Sequence, residues 1–152
     1  MKPENIILSR DRSGRLAPKL IDFGISKITS GDKGTLLSTG RALGTPLYMS
    51  PEQLRAEDDL DARTDVWAVG VVLFEIFAGR RPFDAASRDV VAAQILTGRA
   101  PSLRDYAPEL SDAMTRVIMR ALEPDRKARF PTMRAMHEAF AAAMAATPHW
   151  PR

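Results

Sequence analysis

The sequence predicts a mainly α chain with one small β-hairpin, an α+β class. Three observations carry that reading. Two short β-branched runs near the start, Ile6-Ile7-Leu8 and Lys19-Leu20-Ile21, flank the turn-rich stretch Arg10-Asp11-Arg12-Ser13-Gly14. Residues 22–48 are rich in Gly, Ser and Thr and keep no sustained period. From Ser50 onward, apolar residues recur at helical spacing between cap signals.

The elements follow in order. The hairpin comes first. The loop after it is long for a compact domain, and loops of that length are usually functional or disordered. Ser50-Pro51-Glu52 starts a helix, with Ser at the N-cap, Pro at the first helical position and an acid in the first turn. Asp65 is expected to open an apolar helix that runs through Ala78 and ends at Gly79. Arg88 to Leu96 reads as a short amphipathic segment before Gly98. Leu110 to Leu122 puts Leu110, Met114, Val117, Ile118 and Ala121 on one face, and Thr132 to Met144 does the same with Met133, Met136, Phe140 and Met144. The methionines read as core filler. About five helices are expected, with no internal repeat.

Composition bounds the function. The 152 residues are 45% hydrophobic and 27% charged, ordinary soluble usage that argues against a disordered or fibrous chain. Twenty-two basic and nineteen acidic residues leave a net charge of +3 without a basic cluster, so nucleic-acid binding is not expected. The absence of cysteine excludes a disulfide framework, thiolate catalysis and Cys-based zinc sites. His137 and His149 are too few for a His-rich metal centre. No stretch resembles a signal peptide, and the apolar run from Val66 to Ala78 is short of the roughly 20 residues a membrane span needs.

Four strings then point one way. Lys2-Pro3-Glu4-Asn5 is followed, seventeen residues after Asn5, by Asp22-Phe23-Gly24. Gly44-Thr45-Pro46-Leu47-Tyr48-Met49-Ser50-Pro51-Glu52 closes the loop, and Asp65-Val66-Trp67-Ala68-Val69-Gly70 opens the apolar helix. In that order, and over essentially the whole chain, they resemble the C-terminal lobe of a eukaryotic-type (Hanks-type) serine/threonine protein kinase, of bacterial style in its Arg- and Ala-rich composition.

The resemblance implies a partial kinase domain over residues 1–145. Residues 2–5 would be a catalytic-loop remnant, 22–24 the metal-binding D-F-G, 22–52 the activation segment, 50–145 the helical subdomain and 146–152 a tail. It implies ATP and Mg²⁺ or Mn²⁺ as cofactors. Asn5 and Asp22 match the metal ligands, and oxygen donors suit so hard an ion. Lys2 matches the lysine that contacts the transferring phosphate and the Thr45 hydroxyl; together they favour Ser/Thr over Tyr acceptors. Ile7 matches a position beside the nucleotide, and Phe23, Ile7, Val72 and Ile76 match the apolar stacks that link the lobes. Glu4 and Glu75 match positions that hold a substrate arginine in basophilic kinases, so protein substrates of basic character are expected. Glu52 and Arg129 match a buried ion pair that anchors the activation segment, and Asp65 matches a cap that braces the catalytic-loop backbone. Thr39, six residues before Thr45, is the first candidate for activating phosphorylation and Ser38 the second.

The sequence also departs from that pattern. It contains no G-x-G-x-x-G, no N-lobe lysine motif and no H-R-D. The catalytic aspartate would stand immediately before Met1. The chain is therefore expected to be a fragment, from an internal Met codon read as a start or from a truncated gene, and to be inactive alone. The other reading is a non-catalytic, kinase-like binding or regulatory module. Loss of a preceding helix is expected to uncover Val69, Leu73 and Phe77. A cytoplasmic location is expected, with a membrane anchor left open for a longer product.

Overall fold

The computed structural model describes residues 2–21 and 46–147. The chain divides into two units, residues 1–33 and residues 34–152. Each is described by itself.

The first unit holds the hairpin. A 3-10 turn, Pro3–Asn5, leads into β1 (Ile6–Arg10), which pairs antiparallel with β2 (Leu16–Leu20). The register runs from Ile6 opposite Leu20 to Arg10 opposite Leu16. Just beyond the two ends, Ile21 N–H donates to the Asn5 carbonyl at 3.0 Å and Asp11 N–H donates to the Arg15 carbonyl at 2.9 Å. Hydrogen-bonded pairs alternate in such a ladder, so Leu8 opposite Pro18 falls on a non-bonded pair, where proline's missing N–H is harmless. This is why β2 begins earlier than the β-branched run at Lys19 suggests. The turn is built by Asp11, whose Oδ1 accepts from Ser13 N–H at 2.8 Å, Ser13 Oγ at 2.6 Å and Arg15 N–H at 3.0 Å. Those bonds, the Ser13 hydroxyl's first, hold the Asp11 carboxyl below its ordinary value. Gly14 supplies the left-handed backbone, at φ 80°.

The described part of the second unit is helical. A 3-10 turn (Pro46–Tyr48) precedes α1 (Pro51–Leu54), α2 (Arg63–Ala78) and α3 (Arg88–Thr97). A second 3-10 turn, Leu103–Asp105, precedes α4 (Asp112–Ala121) and α5 (Met133–Ala145). Ser50 caps α1 through a reciprocal capping box: its Oγ accepts from Gln53 N–H, and Gln53 Oε1 accepts from Ser50 N–H at 3.0 Å. Ser111 and Thr132 cap α4 and α5.

The core is built on α2. Val66, Trp67, Val71 and Phe74 are buried, and α4 and α5 both pack against this helix. Trp67 stacks on Phe83 with ring centroids 5.9 Å apart. At Gly70 α2 and the end of α4 approach closely: a Cβ there would lie 2.9 Å from Ala121 Cβ. Leu110, Met114, Val117, Ile118 and Ala121 are all buried, as their spacing predicts. On α5, Met136 is buried, while Met133, Phe140 and Met144 pack partly buried against the core.

Three expectations change. The apolar helix starts at Arg63 rather than Asp65. Val69, Leu73 and Phe77 do not stand uncovered; they are half-buried and packed against the core. The exposed apolar residue of α2 is Ile76, 65% accessible, whereas Val72, grouped with it above, is buried. Among the described residues no helix is long and apolar enough to cross a membrane.

Candidate functional site

In the first unit, the chain enters from Lys2, which is extended and exposed. Its carbonyl accepts from Asn5 N–H at 3.0 Å, closing the 3-10 turn that carries Glu4. Asn5 is half-buried, and its own carbonyl takes the Ile21 N–H. Among the described residues its carboxamide has no hydrogen-bond partner, leaving an amide oxygen available to a hard cation. Ile7 is 47% exposed and Glu4 is exposed. The ladder thus brings Ile21, the residue before Asp22, opposite Asn5. Asp22, Phe23, Ser38, Thr39 and Thr45 lie outside the described residues.

In the second unit, α1 carries Glu52 and the loop before α5 carries Arg129. Both are buried, and they form a two-pronged pair: Arg129 Nη1 donates to Glu52 Oε1 at 2.7 Å and Nη2 donates to Oε2 at 2.9 Å. The remaining guanidinium donors go to carbonyls, with Nε on Glu123 at 2.7 Å, Nη1 on Arg63 at 3.2 Å and Nη2 on Pro124 at 3.1 Å. All five N–H groups are therefore used. Thr64 Oγ1 also donates to Glu52, at 3.3 Å, and the Arg129 cation lies 4.9 Å from the Trp67 ring centroid. Burial pushes the Glu52 carboxyl up, but the Arg129 hydrogen bonds and charge, with the bonds nearer its own backbone, hold it below its ordinary value.

Glu75, on α2, accepts from the Tyr48 hydroxyl at 2.7 Å. The bond ties the 3-10 turn after Thr45 to the core helix and fixes one oxygen of the carboxylate. Arg81, in the loop after α2, donates to Asp84 at 2.9 Å; Asp84 first, and Tyr48 to a lesser extent, keep it firmly protonated. Glu75, Tyr48, Arg81 and Asp84 thus form a strip of alternating polar contacts.

Asp65 lies exposed in the first turn of α2, not at its cap. The helix N-terminus is served by Asp61, whose Oδ1 accepts from Arg63 N–H at 2.9 Å and whose carboxylate also holds the Arg63 guanidinium. Arg63 lowers the Asp61 carboxyl to about 2. Sequence reasoning missed Asp61, Tyr48 and Thr64. Asp61, two residues before a helix with no capping side chain at Ala62, carried a local signal; the other two depend on tertiary contacts.

Measured against known proteins, the protein kinase domain family model matches residues 1–141. The chain belongs to the protein kinase family, and its relatives place it among the Hanks-type serine/threonine kinases of bacteria. Serine/threonine-protein kinase pkn3 of Myxococcus xanthus is 44% identical over 126 residues, 80% of this chain and 23% of that protein. Serine/threonine-protein kinase PknJ of Mycobacterium tuberculosis is 39% identical over 154 residues, 99% of this chain and 26% of that protein. PrkC of Bacillus subtilis is 34% identical over 132 residues, 87% of this chain and 19% of that protein. The chain spans about a quarter or less of the length of these curated relatives. Family membership implies ATP, a divalent metal and protein substrates for a complete domain.

Proposed function

We propose that these residues form the C-terminal-lobe part of an ATP-dependent kinase that phosphorylates Ser and Thr of cytoplasmic proteins. Residues 1–145 supply the catalytic-loop remnant, metal site, activation segment and helical subdomain, with 146–152 as a tail. The observation that supports the reading is the hairpin ladder, which brings Ile21, the residue before Asp22, opposite Asn5 and leaves the Asn5 amide oxygen unengaged among the described residues. Asn5 and Asp22 would hold Mg²⁺ or Mn²⁺. The ion would supply positive charge against the nucleotide's phosphates.

The chain's own residues divide the remaining work. Lys2 would contact the transferring phosphoryl group, Thr45 would share in Ser/Thr selection, and Ile7 would pack beside the nucleotide. Glu52 and Arg129 hold the end of the activation segment on the helical core, and Asp65 braces the catalytic loop. Thr39, then Ser38, are the activating phosphorylation sites; a phosphate there would add about −1.5 to −2 charge for Arg41 to meet. Glu75, fixed by Tyr48 at one oxygen, and Glu4 would receive a substrate arginine. The 152 residues alone, lacking H-R-D and a phosphate-covering loop, transfer no phosphate.

The test is a peptide array probed with these residues completed by the preceding half of a relative's kinase domain. Labelling of Ser and Thr peptides with upstream arginine is expected. Labelling confined to Tyr peptides would overturn the assignment, and indifference to arginine would remove Glu4 and Glu75 from it.

A further inference from the structure

A polar cleft of about 330 Å³ lies where the loop after α2 meets the end of α3. Arg80, Asp84, Gln94 and Arg99 are among its lining residues. Their charges do not cancel. Asp84 is already paired with Arg81. Among the described residues, neither Arg80 nor Arg99 has a carboxylate within ion-pair distance. The Arg80 guanidinium instead sits over the Tyr106 ring, 5.1 Å from its centroid, and Phe74 meets that ring edge-on at 6.2 Å. The ring positions the cation without supplying a counter-charge. Gln94 also lines the cleft, although its Oε1 is itself buried and has no hydrogen-bond partner among the described residues.

We propose that this cleft is a docking site for an acidic peptide segment of a partner protein. Two uncompensated arginines would take its carboxylates. Charge complementarity selects this occupant, since a basic segment would meet two unpaired cations and an apolar one would leave both without a counter-charge. The site requires no phosphoryl transfer and stands or falls separately from the kinase reading.

The test uses the 152-residue chain and a fluorescein-labelled dodecapeptide carrying a Glu-Asp-Glu run, with a Gln-Asn-Gln counterpart. Fluorescence anisotropy should register the acidic peptide and not its amide twin. Arg99→Glu and Arg80→Glu should each weaken binding by about tenfold or more, because each replaces an attraction with a like-charge clash. Both side chains are exposed, so circular dichroism should find the variants folded. Arg134→Glu, on the exposed face of α5, should leave binding unchanged. Equal binding of the two peptides, failure of the acidic peptide to bind, or an Arg134→Glu loss as large as that of Arg99→Glu would each overturn the proposal, the last by showing only diffuse charge attraction.

Discussion

Arg129 is buried with all five of its N–H groups given acceptors, and the Glu52 carboxylate takes two of them. Removing the cation would leave that carboxylate buried with only the weak Thr64 bond and its local contacts. Arg129→Met should therefore destabilise the fold by about 3–5 kcal/mol, read as a fall in the urea midpoint. The pair also sets a pH dependence. A carboxyl held below its ordinary value contributes stability that is present above that value and lost as pH falls through its folded-state value. Acid unfolding followed by circular dichroism should thus be less steep below about pH 4 in Glu52→Gln than in the parent chain. Identical slopes would mean that Glu52 stays ionised in neither state's favour. The pair itself was legible from its place in the kinase pattern. Its three carbonyl partners were not, because Arg63, Glu123 and Pro124 converge on Arg129 only when the helices are packed. Asp65 does not open α2 for a local reason: Asp61, four residues earlier, already serves the helix end.

At the scale of elements, α2 is the member whose face was hardest to read. It is apolar nearly all round, so the sequence identified a buried core helix without saying which side meets which neighbour. The structure resolves this at Gly70, where α4 approaches so closely that a methyl group would meet Ala121 at 2.9 Å and Leu122 at 3.2 Å. Gly70→Ala should accordingly cost about 1–3 kcal/mol despite alanine's better helix propensity, as measured by thermal or urea melting. A stabilised variant would mean that α4 can shift without loss. The later helices were legible to within two residues because their apolar residues keep one period. The hairpin was legible in kind but not in length. Pro18 argues against a strand until the register shows that it occupies a non-bonded pair.

At the scale of the whole chain, the protein kinase family match covers residues 1–141. The chain's first unit contributes Lys2 and Asn5, and its second unit holds the Glu52–Arg129 anchor and the Tyr48–Glu75 bond. Family and fold class could be read from four short strings because each string has a chemical task that few other residues perform. The cleft at Arg80 and Arg99 could not, since it depends on which cations the fold leaves without a counter-ion. The central claim is that Asn5 and Asp22 serve phosphoryl transfer. Its most direct measurement is transfer of radiolabelled phosphate from ATP to a Ser peptide by these residues completed with a relative's preceding half-domain, beside the same protein carrying Asp22→Asn. The account predicts labelled phosphoserine that falls by at least about a hundredfold in the variant, while its fold by circular dichroism is retained. Equal labelling by the two proteins, or none from a folded parent, would contradict it.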